Sequence, residues 1–215
     1  MKILSLAILG ALTLVQPAYA GPVEDGVAHL QKEWAVINYK TPNTDEQLEK
    51  MAALALEADT LTAANPDRAE PLVWSAIIKS TEAGMKGGMG ALGLAKQARR
   101  ELQQAIEIDG NALDGSAYTS LGSLYYQVPG GVIGFGSKKK ARANLQKALS
   151  INPDGIDANY FYGDFLLRRK KYDEAITTFE HALTAADRPS RPVADEGRRL
   201  EIKVKIAQAK AKIAR

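Results

Sequence analysis

Two glycine-rich stretches and a thin scatter of ionisable residues are the places where this sequence could do chemistry. Gly88-Met89-Gly90-Ala91-Leu92-Gly93 spells G-x-G-x-x-G. That pattern cradles a dinucleotide pyrophosphate when a strand precedes it and a helix follows. Here the preceding segment has helical periodicity and no parallel sheet is readable, so the stretch reads as a flexible loop between helices. Gly131 to Lys138, GVIGFGSK, approaches a phosphate loop but transposes Ser and Lys and again lacks the strand. A weaker reading survives there: amides at a helix N-terminus beside Lys138, Lys139 and Lys140 could receive an anion. His29 and His181 are the only histidines. Neither has a second ligand at helical spacing, so no metal site is expected. There is no cysteine, which removes thiol chemistry, disulfides and a lipid-bearing cysteine. Asp173-Glu174 and Asp195-Glu196 fall at helix starts, where carboxylates complement the helix dipole. No serine sits in a nucleophile elbow. These residues make no catalytic constellation, and neither enzyme activity nor a cofactor is expected.

The elements that would position any site repeat along the chain. KKKARANLQKALSINP, Lys138 to Pro153, reads as a helix with Ala141, Leu145, Ala148 and Leu149 inward and a stop at Asn152-Pro153. Lys96 to Gly110 and Tyr172 to Ala185 follow the same plan. Ala141 to Ala175 is 34 residues, Ala98 to Ala141 is 43, and Leu54 to Ala98 is 44. The surplus of nine and ten residues over 34 is assigned mostly to the two glycine-rich loops. Helices are expected at Glu24–Asn38, at a second stretch capped by Thr44 or Asp45 and ending before Asn65-Pro66, at one opened by Pro71, and at Leu94–Ile108. Further helices are expected at Ser116–Gln127, Lys138 onward, Asp157–Arg169, Tyr172–Ala185 and about Val193–Ile213. In the last, Leu200, Val204 and Ala207 share one side. The fold class is therefore all-α: four helix pairs plus a C-terminal capping helix, stacked as a solenoid.

A helix-turn-helix period of 34 resembles the tetratricopeptide repeat. Gly163, Leu166, Tyr172, Ala175, Phe179 and Ala182 fall where that pattern alternates small and large residues. Tyr118, Leu121-Gly122, Tyr125, Ala141, Leu145, Ala148 and Pro153 match it in the preceding pair. The likeness covers Pro71 to Ala185 well and the N-terminal pair weakly. In layout the chain is also similar to the T component of TRAP-type transporters, with four helix pairs and an end helix around a ligand channel. The resemblance implies a concave face lined by the first helix of each pair. By register, that face presents Lys79, Ser123, Tyr126, Tyr160, Asp164 and Arg168 as ligand-binding candidates, with Glu82, Thr119 and Gln127 beside them. Tyrosine and arginine among hydroxyls and amides suit a binding surface. The lysine-asparagine clamp that some relatives use for C-terminal carboxylates has no match here.

The N-terminus implies where such a scaffold would work. Lys2, an apolar run from Ile3 to Val15 and Ala18-Tyr19-Ala20 before Gly21 read as a cleaved signal peptide over residues 1–20. Residues 21–187 then form the repeat domain and 188–215 a basic capping helix. That tail holds nine basic and three acidic residues. The whole chain carries a formal net charge of +3, too little to draw in nucleic acid. The expected protein is a non-enzymatic periplasmic scaffold binding a protein or peptide partner of the cell envelope on its concave face. Membrane contact is not expected. The alternative is an organic-acid-binding accessory of a transporter.

Overall fold

The computed structural model of the chain describes residues 21–214; the expected signal peptide, residues 1–20, lies outside the described residues. Among these there are nine helices and no strand. They are α1 (Pro22–Lys40), α2 (Thr44–Ala64), α3 (Ala69–Lys86), α4 (Gly88–Asp109), α5 (Ala112–Gln127), α6 (Lys138–Ile151), α7 (Ile156–Arg168), α8 (Tyr172–Leu183) and α9 (Pro192–Ile213). The helices pair as α1–α2, α3–α4, α5–α6 and α7–α8, and each pair packs on its neighbours.

Close approach within the pairs rests on small residues opposite large ones. A Cβ on Gly122 would stand 2.7 Å from Leu145 Cγ, and one on Gly163 2.7 Å from Phe179. Ala98, Ala105, Ala141, Ala148, Ala175 and Ala182 are fully buried, with Leu102, Leu145 and Phe179 filling the space between them. Burying each such leucine or phenylalanine contributes about 1.5–3 kcal/mol before entropy is counted. The caps are local. Asn43, rather than Thr44 or Asp45, accepts from the amides of Asp45 and Glu46, and Ser137 accepts from Lys140 N, as a side-chain oxygen at N-cap does.

The first glycine-rich stretch is not a loop. α3 runs on to Lys86, α4 starts at Gly88, and the whole turn is made around Gly87. Gly87 and Gly88 both have φ of +62°, a region that side-chain-bearing residues rarely enter. The ten extra residues of this repeat therefore lengthen its two helices, and the G-x-G-x-x-G sequence lies in the first turns of α4. The second stretch, residues 128–137, is a true loop. Leu113, Asp114 and Gly115 take left-handed backbone angles, a kink after which the continuous right-handed part of α5 runs from Ser116, where its periodicity places the helix start.

The last helix departs most from a simple end cap. α9 packs on α8 and α7 and also lies against α1, so it runs from the last pair back to the first. Its inward residues are Ala194, Asp195, Gly197, Arg198, Ile202 and Ala209. Leu200 and Val204 instead face solvent, each more than half exposed. At Gly197 the α9 backbone rests on the ring of Tyr39, leaving no room for a Cβ. Lys40 and Glu196 pair across the same junction at 2.7 Å.

Candidate functional site

The inner helices α1, α3, α5 and α7, together with α9, line an open cavity of about 420 Å³. Its size suits a small molecule or one protruding group of a partner. One wall is aromatic. Trp34 packs edge-on to Trp74 and to Tyr39, with ring centroids 5.9 and 5.8 Å apart. Trp34 Nε1 donates to Thr81 Oγ1 at 2.9 Å, and Thr81 Oγ1 donates to the Ile77 carbonyl. The facing wall is hydroxyl and amide, from Thr119, Ser120, Ser123 and Gln127 of α5. These residues share a face because they recur at helical spacing on one side of α5, while Leu121, Leu124 and Tyr125 enter the core.

Cations from the last segment complete the site. The Arg198 guanidinium sits 4.2 Å above the Tyr160 ring and 5.0 Å above Phe161, and donates from Nε to Asp157 Oδ1. Asp157 also accepts from Arg188, which pairs in turn with Asp195. Burial works against the Asp157 charge, but Arg198, Arg188 and Arg191 outweigh it and hold the carboxyl well below the ordinary range. The third arginine is less well served. Arg191 lies 5.1 Å over the Trp74 ring, and its Nε is buried with no hydrogen-bond partner. Burial, reinforced by the like charges of Arg188 and Arg198, lowers its affinity for its proton against the pull of Asp157 and Asp195. The Tyr39 hydroxyl is likewise buried without a partner, and burial pushes its pKa up to about 12. Both orphaned atoms belong to residues that line the cavity. A buried polar group without a partner costs about 1–3 kcal/mol, so each would gain from a ligand acceptor.

The residues expected on the concave face divide into three groups. Ser123 and Tyr160 line the cavity. Tyr126, Asp164 and Arg168 are brought together beside it, in a network that ties three helices. Tyr126 Oη donates to Asp164 Oδ2 at 2.9 Å, Arg168 Nε to the same oxygen at 3.0 Å, and Lys205 of α9 to Oδ1 at 2.7 Å. Burial and the Asp164 charge raise the Tyr126 pKa well above its usual value. Lys79 faces the opposite way. It is buried between α2 and α4, where it pairs with Asp59 at 2.5 Å and with Glu101. Burial opposes its charge, but these two carboxylates outweigh that and raise its pKa.

Four residues of the site did not stand out in the sequence: Trp34, Trp74, Arg191 and Arg198. The only two tryptophans of the chain both lie on first helices of pairs, which was the available signal. His29 and His181 are exposed on the outside, facing Glu57 and Asp154. Among the described residues no group of three or more His, Asp or Glu is placed to hold a metal ion.

A solenoid of paired helices with this small-to-large packing is the architecture of tetratricopeptide-repeat proteins. Residues 136–192 match the family model described as tetratricopeptide repeat. A thermophilic TPR protein of Thermus thermophilus superposes with a TM-score of 0.56 at 16% identity, over 86% of this chain and 99% of that one; it shares the fold. MamA aligns at 20% identity with a TM-score of 0.45, over 77% and 92%. PilF of Pseudomonas aeruginosa aligns at 14% with a TM-score of 0.35, over 89% and 90%. No curated protein sequence matches the chain. The likeness to the T component of TRAP transporters draws no support from these matches.

Proposed function

We propose that the chain is a non-enzymatic binding scaffold, exported to the periplasm, that holds a protein partner by one anchoring group seated in the inner cavity. The observation that carries this reading is the pair of orphaned donors, Arg191 Nε and the Tyr39 hydroxyl, on residues lining a cavity walled by two tryptophans. α9 crosses the concave face, so a long peptide laid along the solenoid fits poorly, and a side chain or chain end entering one pocket fits well. An acceptor group against Arg191, with a flat or apolar body between Trp34, Trp74 and Phe161, would satisfy both walls.

The test is to fill the cavity from a position that tolerates bulk. Ser120→Phe puts a ring into it from the half-buried face of α5. The expected result is loss of partner capture from periplasmic extract while helicity and melting temperature hold. Capture that survives in the folded variant overturns the reading. A second reading has its own support, because the cavity is flanked by Arg198 and Glu201 of α9 and sized for a free organic acid. In that case an acid carrying an aromatic or apolar body, at about 100 times its Kd, raises stability by about 2.7 kcal/mol. Arg191→Gln removes that gain.

A further inference from the structure

The two long edges of the solenoid differ in charge. At one edge lie the turns that join the helices within each pair; the second to fourth carry Lys86, Lys138 to Lys140, and Arg168 to Lys171, while the first sets Lys40, paired with Glu196, beside exposed Asp45 and Glu46. At the other lie the turns between pairs, with exposed Asp67, Asp109, Asp114, Asp154 and Asp187. From Gly115 to Pro153 the sequence holds no acidic residue at all, and the same is true of 83–100. Among the described residues Lys86, Lys138, Lys139, Lys140, Arg169 and Lys170 are exposed and meet no carboxylate.

From the middle of the basic edge the loop 128–137 projects. It is closed at its base, where Gly136 N donates to the Pro129 carbonyl at 2.9 Å and Ser137 N to the Tyr125 carbonyl at 2.7 Å. Phe135 anchors it inward, edge-on to Tyr125 and beneath Arg99 at 4.4 Å. At its tip are Val132, 106% exposed, and Ile133, 72% exposed. The fold gives these two side chains nothing to pack on, yet it holds the loop that presents them.

We propose that this edge docks on an anionic phospholipid bilayer, with Val132 and Ile133 entering the headgroup region and the lysines around them facing lipid phosphates. Paired aliphatic insertion and cationic attraction are the two components of peripheral membrane binding, and each alone is weak. This surface is distinct from the basic C-terminal helix, and it departs from the expectation of no membrane contact. It is independent of the cavity, which opens on the concave face.

Cosedimentation with vesicles tests it, using the chain from Gly21 onward, which holds every described helix. The protein is expected to bind phosphatidylglycerol-rich vesicles, to release them as salt rises, and to leave pure phosphatidylcholine vesicles unbound. Replacing Val132 and Ile133 by serine, at positions where the fold has nothing to lose, should weaken partition on the order of tenfold. Exchanging Lys138, Lys139 and Lys140 for glutamine should do at least as much, while the same exchange at Lys203, Lys210 and Lys212 of α9 changes little. Failure to bind anionic vesicles, or binding that ignores the serine pair, overturns the proposal. So does a loss as large from the α9 exchange. Retention on immobilised polyglutamate without vesicle binding also overturns it and points to an acidic protein instead.

Discussion

Lys79 and Arg191 are two cations drawn out of water, about 110 residues apart in the chain, and their surroundings differ. Lys79 is closed between α2 and α4 with a carboxylate from each. Arg191 leans on a tryptophan face, has its Nε unpaired, and shares Asp157 with two other arginines. The first cation is consumed by the fold. The second is held in position without being fully compensated, which is the condition of a group that has something left to bind. The sign and number of charges near the surface do not separate the two cases. The partner count at the guanidinium or ammonium does.

The contrast can be broken most severely at Lys79. Lys79→Met strands Glu101, and a broken buried pair is expected to cost about 3–5 kcal/mol, read as a lower urea midpoint at unchanged slope. A loss below about 1 kcal/mol would mean that the triad is no more than a surface pair. Next comes Asp157→Asn, which leaves Arg188 and Arg198 without their shared anion. The Asp157 carboxyl has a depressed pKa in the folded protein, so its contribution is present above the unfolded value of about 3.9 and fades as pH falls below it. The parent protein should therefore lose stability from about pH 4 downward, and the asparagine variant should show a flatter acid limb in thermal melts. Gly197→Ala pushes a methyl against the Tyr39 ring and is expected to cost about 1–3 kcal/mol by overpacking, with a change in tryptophan fluorescence as the Trp34–Tyr39 wall shifts. Tyr126→Phe removes one hydrogen bond from Asp164, which keeps Arg168 and Lys205, and should cost about 1 kcal/mol. At the small end, Arg191→Met should leave stability within about 0.5 kcal/mol of the parent, the range of a substitution that breaks no buried pair, while abolishing ligand capture. A large loss there would place Arg191 with Lys79 as a structural cation.

Much of the architecture was legible in the sequence because the pairs are written in alternating small and large residues. Gly163 with Phe179, and Gly122 with Leu145, state the packing at two sites. The length of helices at glycine was not legible: Gly87 and Gly88 look like a loop by composition, and only their positive φ shows a one-residue turn. The site was legible in part. Ser123 and Tyr160 lie on inner helices and reach the cavity. Lys79 is also on an inner helix, but register alone does not say that two carboxylates from α2 and α4 converge on it. Tyr126 and Asp164 share a face as expected, yet Lys205 of α9 joins them from 41 residues beyond Asp164. Arg191 and Arg198 were read with the basic tail because no repeat motif reports where a segment after the last repeat will travel. The same holds for Leu200 and Val204, whose spacing resembles a buried stripe although Arg198 and Ile202 hold the inward positions.

The contact between α9 and α1 alters how the stack should come apart. An open row of repeats can fray from either end, since each unit leans only on its neighbours. Here the first and last units are fastened to one another, through Gly197 on Tyr39 and Lys40 with Glu196, so neither is a free terminus. Amide exchange should accordingly slow to similar rates at both ends and in the middle, and a chain truncated after Arg188 should regain the graded protection of an open row.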